Sequence, residues 1–234
     1  MKKLMILLVA LATVSVLIFG TIQSLQQDFL SLQGSIVWEL SKKEATLKNG
    51  WQLILVGGEY YVPEDYEVKL LTLSNGQQID ERIYPPLQEM FDDMRSQGIY
   101  PTVVSGYRSY EEQRAILEEK YLAYRGEGYS KSRAKELALE WVALPGTSEH
   151  QLGIAVDINP DYSVSDGEGV YDWLKDNAHK YGFIKRYPED KTEITGIINE
   201  PWHYRYVGKK AAKEIYEQGL CLEEYLELIM NYEL

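Results

Sequence analysis

The sequence predicts an α+β domain in which a small antiparallel sheet of short strands carries helices on one face and a cleft on the other. The first observation is alternation of apolar residues, clearest over residues 153–158 and 202–207, which is typical of strands. The second is a series of segments with apolar residues at helical spacing, ended by glycine or proline. The third is length, since about 180 residues beyond position 50 suffice for one domain with a core.

The N-terminal segment predicts membrane targeting. Lys2 and Lys3 precede an uncharged, apolar run over residues 4–20. Such a run keeps its positive flank in the cytoplasm and places the following residues outside the membrane. We expect residues 1–22 to be an uncleaved single-pass anchor, with cleavage and secretion as the alternative. Residues 23–50 then form a spacer, and residues 51–234 form an extracytoplasmic domain.

Charge and cysteine content narrow the classes of function. The formal net charge of −12 argues against nucleic-acid binding, because that binding requires basic surfaces to displace counterions. The single cysteine excludes an internal disulfide framework. We therefore expect a protein that binds no nucleic acid. A monomer is also expected.

The first elements of the domain alternate between strand and helix. Residues 51–56 predict a strand, and the two glycines that follow predict a turn. Residues 86–97 predict a helix with Gly98 placed to end it. Its apolar residues fall at helical spacing and are expected in the core: Leu87, Met90, Phe91 and Met94.

A strand over residues 99–104 is expected to lead directly into a second helix. Ser109, with Glu112 three residues later, forms a capping-box signature, so this helix begins there and continues to about residue 124. Arg108 consequently lies at the junction between the strand and the helix.

Four further helices are predicted after this point. Residues 130–144 form one, ended by Pro145 and Gly146, with a buried face made by Ala134, Leu137, Ala138 and Trp141. Residues 170–181 form another, ended by Gly182. Two more helices occupy the C-terminal part, one ending near residue 219 and one beginning at residue 222.

Two of the three histidines lie next to acids. In the predicted strand over residues 153–158, Asp157 faces away from the apolar side chains, whereas His150 must lie on the incoming loop, with a bend at Gly153. In the strand over residues 202–207, His203 and Arg205 share one face. Together with Glu200, these groups supply two imidazoles and two carboxylates. That is enough for a catalytic zinc site with three ligands, one open position and a base.

Two spaced motifs carry a family resemblance: Ser-x-His-x-x-Gly-x-Ala-x-Asp over residues 148–157 and Glu-x-Trp-His over residues 200–203. With them the chain resembles the zinc D-alanyl-D-alanine carboxypeptidases that include the VanY-type enzymes. The similarity extends over about residues 51–226 and includes the Ser-Gly-Tyr-Arg-Ser run at 105–109. It implies the hedgehog/DD-peptidase-like fold and, as substrate, the D-Ala-D-Ala end of a peptidoglycan stem peptide.

The resemblance also implies roles for individual residues. It implies one Zn²⁺ per chain, bound by His150, Asp157 and His203. Glu200 matches the general base. Arg108 is implied as a catalytic residue that helps to stabilise the oxyanion, and also as a substrate-binding residue.

The remaining expectations concern contacts with the substrate. Gln113, Ser148 and Trp202 are expected to bind substrate, and Arg108 or Ser148 is expected to hold its terminal carboxylate, which suits the guanidinium fork. Without the resemblance, an ion pair at the surface would be the simpler interpretation of Arg108. An ordinary solvated helix residue would be the simpler interpretation of Gln113.

Three alternatives remain beside the D,D-carboxypeptidase. An L,D-carboxypeptidase acting on tetrapeptide stems would share both motifs. A serine mechanism is suggested by Ser132 and Lys135, which match Ser-x-x-Lys, but the companion motifs are missing from the sequence. A zinc-stabilised cell-wall-binding module without turnover would need the ligands but no base, so Glu200 favours an enzyme.

Overall fold

The computed structural model describes residues 43–45 and 49–232. The predicted anchor at residues 1–22 and most of the predicted spacer at residues 23–50 lie outside these residues. Within the described ranges, every helix is too short or too polar to cross a membrane.

Strands and helices are interspersed along the chain. In order, they are β1 (Lys43–Glu44), β2 (Tyr60–Tyr61), β3 (Leu70–Thr72), β4 (Gln78–Asp80), α1 (Tyr84–Ser96), β5 (Pro101–Ser105), α2 (Tyr110–Gly126), α3 (Lys131–Leu139), β6 (Ala155–Pro160), α4 (Val170–Asn177), β7 (Phe183–Lys185), α5 (Thr192–Thr195), β8 (His203–Tyr206), α6 (Lys209–Gln218) and α7 (Leu222–Tyr232). Short 3₁₀ helices occupy Trp51–Leu53, Glu81–Ile83, Glu149–Leu152, Ala178–Tyr181 and Glu189–Lys191.

The central feature is a four-stranded antiparallel sheet with the strand order β5-β6-β8-β7. Two small pairs accompany it, the antiparallel hairpin β3-β4 and the parallel pair β1-β2. The predicted α+β class with a small antiparallel sheet is therefore confirmed.

Side-chain alternation separates the face of the sheet that packs on the main core from the face that carries the candidate ligands. On the apolar face, Val156, Ile158 and Tyr204 belong to the main hydrophobic core, together with residues of α1 and α4. Helices α6 and α7 form a second apolar cluster around Ile184 of β7. Because successive residues of a strand point to opposite faces, Asp157 and His203 lie on the side away from the main core.

Most of the predicted helices are confirmed. The helix predicted at 86–97 is α1, and Leu87, Met90, Phe91 and Met94 are all buried in it. Ser109 caps α2 through the predicted capping box, in which its hydroxyl accepts from the Glu112 amide and the Glu112 carboxylate accepts from the Ser109 amide. The helix predicted at 170–181 is α4 followed by one 3₁₀ turn, ending at Gly182 in the left-handed conformation.

Two predictions about elements are wrong. Residues 51–56 are not a strand, because the carbonyls of Gln52 and Ile54 accept from the guanidinium of Arg205 and not from a neighbouring strand. The helix predicted at 130–144 ends at Leu139, since the Glu140 carbonyl accepts from the Ile198 amide. Trp141 therefore lies outside the helix and is 37% exposed instead of buried.

Gly106 allows the hairpin β3-β4 to pack against the loop between β5 and α2. A Cβ atom at this position would lie 2.1 Å from the backbone oxygen of Gln78, which also accepts from the Tyr107 amide. The Gly106 amide donates to the side chain of Gln77. The contact leaves no room for a side chain, which explains the glycine in the Ser-Gly-Tyr-Arg run.

Replacing Gly106 by alanine is expected to lower the free energy of unfolding by about 1–3 kcal/mol, because backbone must move to admit the methyl group. Gly126→Ala is the matched control. Gly126 ends α2 without a positive φ and has open space around it, so alanine there should stabilise by roughly 0.4–1 kcal/mol. Urea denaturation of both variants measures the difference, and equal effects would contradict the packing argument.

Candidate metal centre

Strand register brings the first two candidate ligands together. Asp157 of β6 pairs with His203 of β8 on one side and with Ser105 of β5 on the other. A bulge between Val103 and Ser105 shifts the β5 register at this point. The three side chains therefore follow one line across the sheet.

His150 approaches from outside the sheet, as its spacing from Asp157 predicts. It lies in the 3₁₀ helix Glu149–Leu152, and Gly153 makes the bend into β6 with φ 71°. Its Nδ1 atom is 2.6 Å from the Gly106 carbonyl oxygen, which can only accept, so Nδ1 carries the proton and Nε2 is free for a metal. Burial lowers the pKa of His150, which favours the neutral imidazole that a metal requires.

His203 presents Nδ1 to the centre, whereas His150 presents Nε2. Its Nδ1 atom is 3.1 Å from Oδ1 of Asp157, whereas its Nε2 atom is 3.5 Å from Oε2 of Glu149 on the far side of the ring. The same Asp157 oxygen lies 3.4 Å from Nε2 of His150.

These three side chains form a buried cluster with the composition of a zinc site. One ligand atom from each of His150, Asp157 and His203 lies within 4.8 Å of the others. Burial opposes ionisation of Asp157, but His150, His203 and their hydrogen bonds hold the pKa of this carboxyl well below its usual range. Burial lowers the pKa of His203, but its hydrogen bonds to Asp157 and Glu149 raise that pKa to about 9, so a metal ion would displace a proton from Nδ1. Two imidazoles and one carboxylate fit Zn²⁺ and leave a fourth position open.

Glu200 lies beside the cluster. Its Oε2 atom is 3.7 Å from Nδ1 of His203. Its amide donates to the Tyr187 carbonyl, and its own carbonyl accepts from the His203 amide, so the chain turns at Pro201 before β8 begins. Burial raises the pKa of Glu200 to about 7, against the lowering effect of His203. The carboxyl group is thus placed and tuned for proton transfer.

Arg108 is held against the cluster of candidate metal ligands. Its Nη2 atom donates to Oδ2 of Asp157 at 2.7 Å, and its Nε atom donates to the Ser105 hydroxyl at 2.8 Å. Its Nη1 atom donates to the Gln113 side-chain oxygen at 3.1 Å. These contacts use three of the five N–H groups of the guanidinium and leave two for a ligand.

Gln113 is engaged by the protein on both ends of its amide. The oxygen accepts from Arg108, and the nitrogen donates to the Ala143 carbonyl at 2.8 Å. The side chain is buried, with only 1% of the residue exposed. Gln113 lies against Arg108 and also lines the cavity beside the cluster, and its contact with substrate stays a prediction.

A cavity of about 130 Å³ opens onto the cluster. Ser148 and Trp202, both predicted to bind substrate, are among its lining residues, together with Glu200 and Arg108. Trp141, Val142 and Ile197 form part of its apolar wall. The cleft predicted beside the zinc ligands is therefore present, and it is small.

The structure adds residues that the sequence did not indicate. Glu149 is fully buried and accepts from both Arg186 and Arg205, and Tyr187 packs its ring 4.9 Å from that of His203. Only the position of Glu149, between Ser148 and His150 in the motif, could have drawn attention to it. By contrast, Ser132 and Lys135 of the Ser-x-x-Lys alternative are exposed on α3, where the Ser132 hydroxyl donates to Glu136.

A buried two-histidine, one-aspartate cluster with a glutamate beside it defines the class of zinc hydrolases that use a single metal ion. Comparison with known proteins is more specific. The family model VanY, D-alanyl-D-alanine carboxypeptidase, matches residues 76–209. The chain belongs to the VanY family.

Individual relatives agree with this assignment. A D-alanyl-D-alanine carboxypeptidase of Enterococcus faecalis is 57% identical over 184 residues, which are 79% of this chain and 69% of the relative. A mutant of the vancomycin-resistance D,D-pentapeptidase VanY from a VanB-type cassette, solved with Zn(II), is 58% identical with a TM-score of 0.73, covering 75% of this chain and 99% of that one. The LD-carboxypeptidase LdcB is 39% identical with a TM-score of 0.62, covering 74% and 84%.

The histidines give a direct test of the metal site. Wild-type protein is expected to bind one zinc ion per chain, and His150→Ala or His203→Ala should abolish this stoichiometric binding. His179→Ala is the matched control, since His179 is the third histidine and stacks on Tyr216. Elemental analysis after dialysis measures the zinc content, and loss of zinc in the His179 variant would contradict the assignment.

Proposed function

We propose that this chain is a zinc-dependent D,D-carboxypeptidase that removes the C-terminal D-alanine from peptidoglycan stem peptides ending in D-Ala-D-Ala. The observation that carries the proposal is the buried cluster of His150, Asp157 and His203 with Glu200 at its edge. The 57% identity to a D-alanyl-D-alanine carboxypeptidase supports the substrate. The presence of Glu200 favours an enzyme over a metal-stabilised binding module, which would need no base.

His150, Asp157 and His203 would hold the zinc ion. When bound, zinc supplies a Lewis acid that polarises the scissile carbonyl and lowers the pKa of a water molecule. Glu200 takes a proton from the attacking water on its Oε2 atom, which faces the cluster. The same carboxyl then returns the proton to the leaving amine of D-alanine.

Arg108 has two roles, one in binding the substrate and one in stabilising charge during the reaction. Its two remaining N–H groups can pair with the terminal carboxylate or with the oxygen that becomes negative during attack. Gln113 holds the guanidinium in place through Nη1. Ser148 and Trp202 line the cavity and complete the contacts to the peptide end. Recognition of a free carboxylate limits cleavage to the last residue.

The L,D-carboxypeptidase alternative is supported by the likeness to LdcB. The higher identity to D,D-carboxypeptidases favours the D,D reaction.

We also propose that residues 1–22 anchor the protein in the cell membrane and that residues 23–50 separate the domain from it. The two lysines before the apolar run support this orientation, which puts the catalytic domain outside the cytoplasm, facing the cell wall. Secretion after cleavage is the alternative, and the protein is proposed to act as a monomer.

Activity on defined peptides tests the reaction. The zinc-loaded protein should remove one alanine from a pentapeptide stem and leave a tetrapeptide stem intact, as followed by mass spectrometry. Glu200→Gln should lower kcat by about 10²–10⁴-fold, because the proton acceptor is lost, while zinc content stays unchanged. Cleavage of the tetrapeptide alone would establish the L,D alternative. If neither peptide is cleaved at full zinc occupancy, the chain is better explained as a zinc-stabilised binding module without turnover.

Comparing substrates with a free and an amidated C-terminus tests the role of Arg108. A pentapeptide with a C-terminal amide should be cleaved roughly 10- to 150-fold less efficiently than the free acid, equivalent to about 1.5–3 kcal/mol for a hydrogen bond to a charged group. The Arg108→Lys variant should discriminate less, since an ammonium lacks the planar fork. A variant with unchanged discrimination would assign the carboxylate contact to Ser148, which the Ser148→Ala variant tests.

A further inference from the structure

Glu149 is a buried, charged residue that the proposed reaction does not use. Its side chain is fully buried, and its two oxygens face different partners. Oε1 accepts from Nε of Arg186 at 2.8 Å and from Nη1 of Arg205 at 2.7 Å. Oε2 lies 3.5 Å from Nε2 of His203. Burying an ionised carboxylate without a partner is strongly unfavourable, and the two guanidinium groups compensate its charge.

The two arginines are themselves fixed. Arg205 also donates to the backbone carbonyls of Gln52 and Ile54, at 3.1 and 2.8 Å. Arg186 donates through both of its terminal nitrogens to Glu223 of α7, at 2.9 and 2.7 Å. Two guanidinium groups that donate to the same oxygen of Glu149 compensate its negative charge in this buried position. Glu149 therefore stays ionised and keeps one orientation.

An ionised carboxylate can only accept a hydrogen bond, which determines the protonation of His203. His203 lies between two carboxylates, since Oδ1 of Asp157 is 3.1 Å from Nδ1 and Oε2 of Glu149 is 3.5 Å from Nε2. When Nδ1 gives its lone pair to the centre, the one remaining ring proton lies on Nε2, where Glu149 accepts it. The other histidine ligand is fixed in the opposite way, because Nδ1 of His150 donates to the Gly106 carbonyl. The two rings are thus held as different tautomers by two different acceptors.

We propose that Glu149 is a positioning residue that fixes the tautomer and ring orientation of His203 for zinc binding, and that Arg186 and Arg205 form the clamp that holds it. This inference rests on the proposed zinc site. Outer partners of metal-bound histidines commonly account for 10- to 100-fold in metal affinity. The clamp gives the site its rigidity without touching metal or substrate.

The tautomers can be measured directly in the wild-type protein. The chain has three histidines, so a long-range ¹H–¹⁵N correlation spectrum of the zinc-loaded protein contains few ring signals. His150 is expected to carry its proton on Nδ1 and His203 on Nε2. A His203 ring protonated on Nδ1, with Nε2 bound to the metal, would overturn the proposal whatever any variant shows.

Glu149→Gln tests the consequence for zinc. Its oxygen can still accept from the two arginines, which places the amide nitrogen toward His203 and favours the tautomer protonated on Nδ1. We expect zinc affinity, measured by competition with a chromophoric chelator, to fall about 10- to 100-fold.

Glu223→Gln is the matched control. It removes one partly buried carboxylate from the same arginine, Arg186, without contacting His203, and should leave zinc affinity unchanged. Equal weakening in the two variants, or wild-type affinity in Glu149→Gln, would overturn the proposal. Zinc affinity and tautomer are read without substrate. A protein that fails to cleave pentapeptide but shows these shifts would refute the proposed function and leave this inference standing.

Discussion

The pairing of β6 with β8 is the constraint on which the site depends. It sets Asp157 opposite His203, and because side chains alternate along a strand, it also points Val156 and Tyr204 into the core. A slip of one residue in this register would exchange the two faces, exposing the core residues and separating the ligands. Folding energy from the apolar face therefore maintains the geometry of the polar face.

The polar face is a buried set of charges that compensate one another. Asp157 is paired with Arg108, and Glu149 with Arg186 and Arg205. Such networks are stable only when each member has its partners, since a single unpaired charge in this environment is strongly destabilising. The network also connects distant parts of the chain, because α7 joins it through Glu223. The ligands are consequently preorganised before any metal or substrate arrives.

Local signals made much of this structure predictable. His150, Asp157, Glu200 and His203 lie in short motifs whose spacing reflects a bend and two strands, and the capping box of α2 involves neighbouring residues. The role of Glu149 was not predictable, because its arginine partners lie 37 and 56 residues away and an isolated glutamate resembles a solvated charge. The absence of the strand predicted at 51–56 and the early end of α3 likewise reflect hydrogen bonds to distant residues, which periodicity does not contain.

The central claim is that one buried cluster holds a catalytic zinc ion with an open coordination position. Anomalous diffraction at the zinc absorption edge, from crystals of the zinc-loaded protein, tests it most directly. The account predicts a single strong peak within bonding distance of Nε2 of His150, a carboxylate oxygen of Asp157 and Nδ1 of His203, with Glu200 next to the ion but not bound to it. A peak at any other group of residues, or Glu200 as a fourth protein ligand, would contradict it.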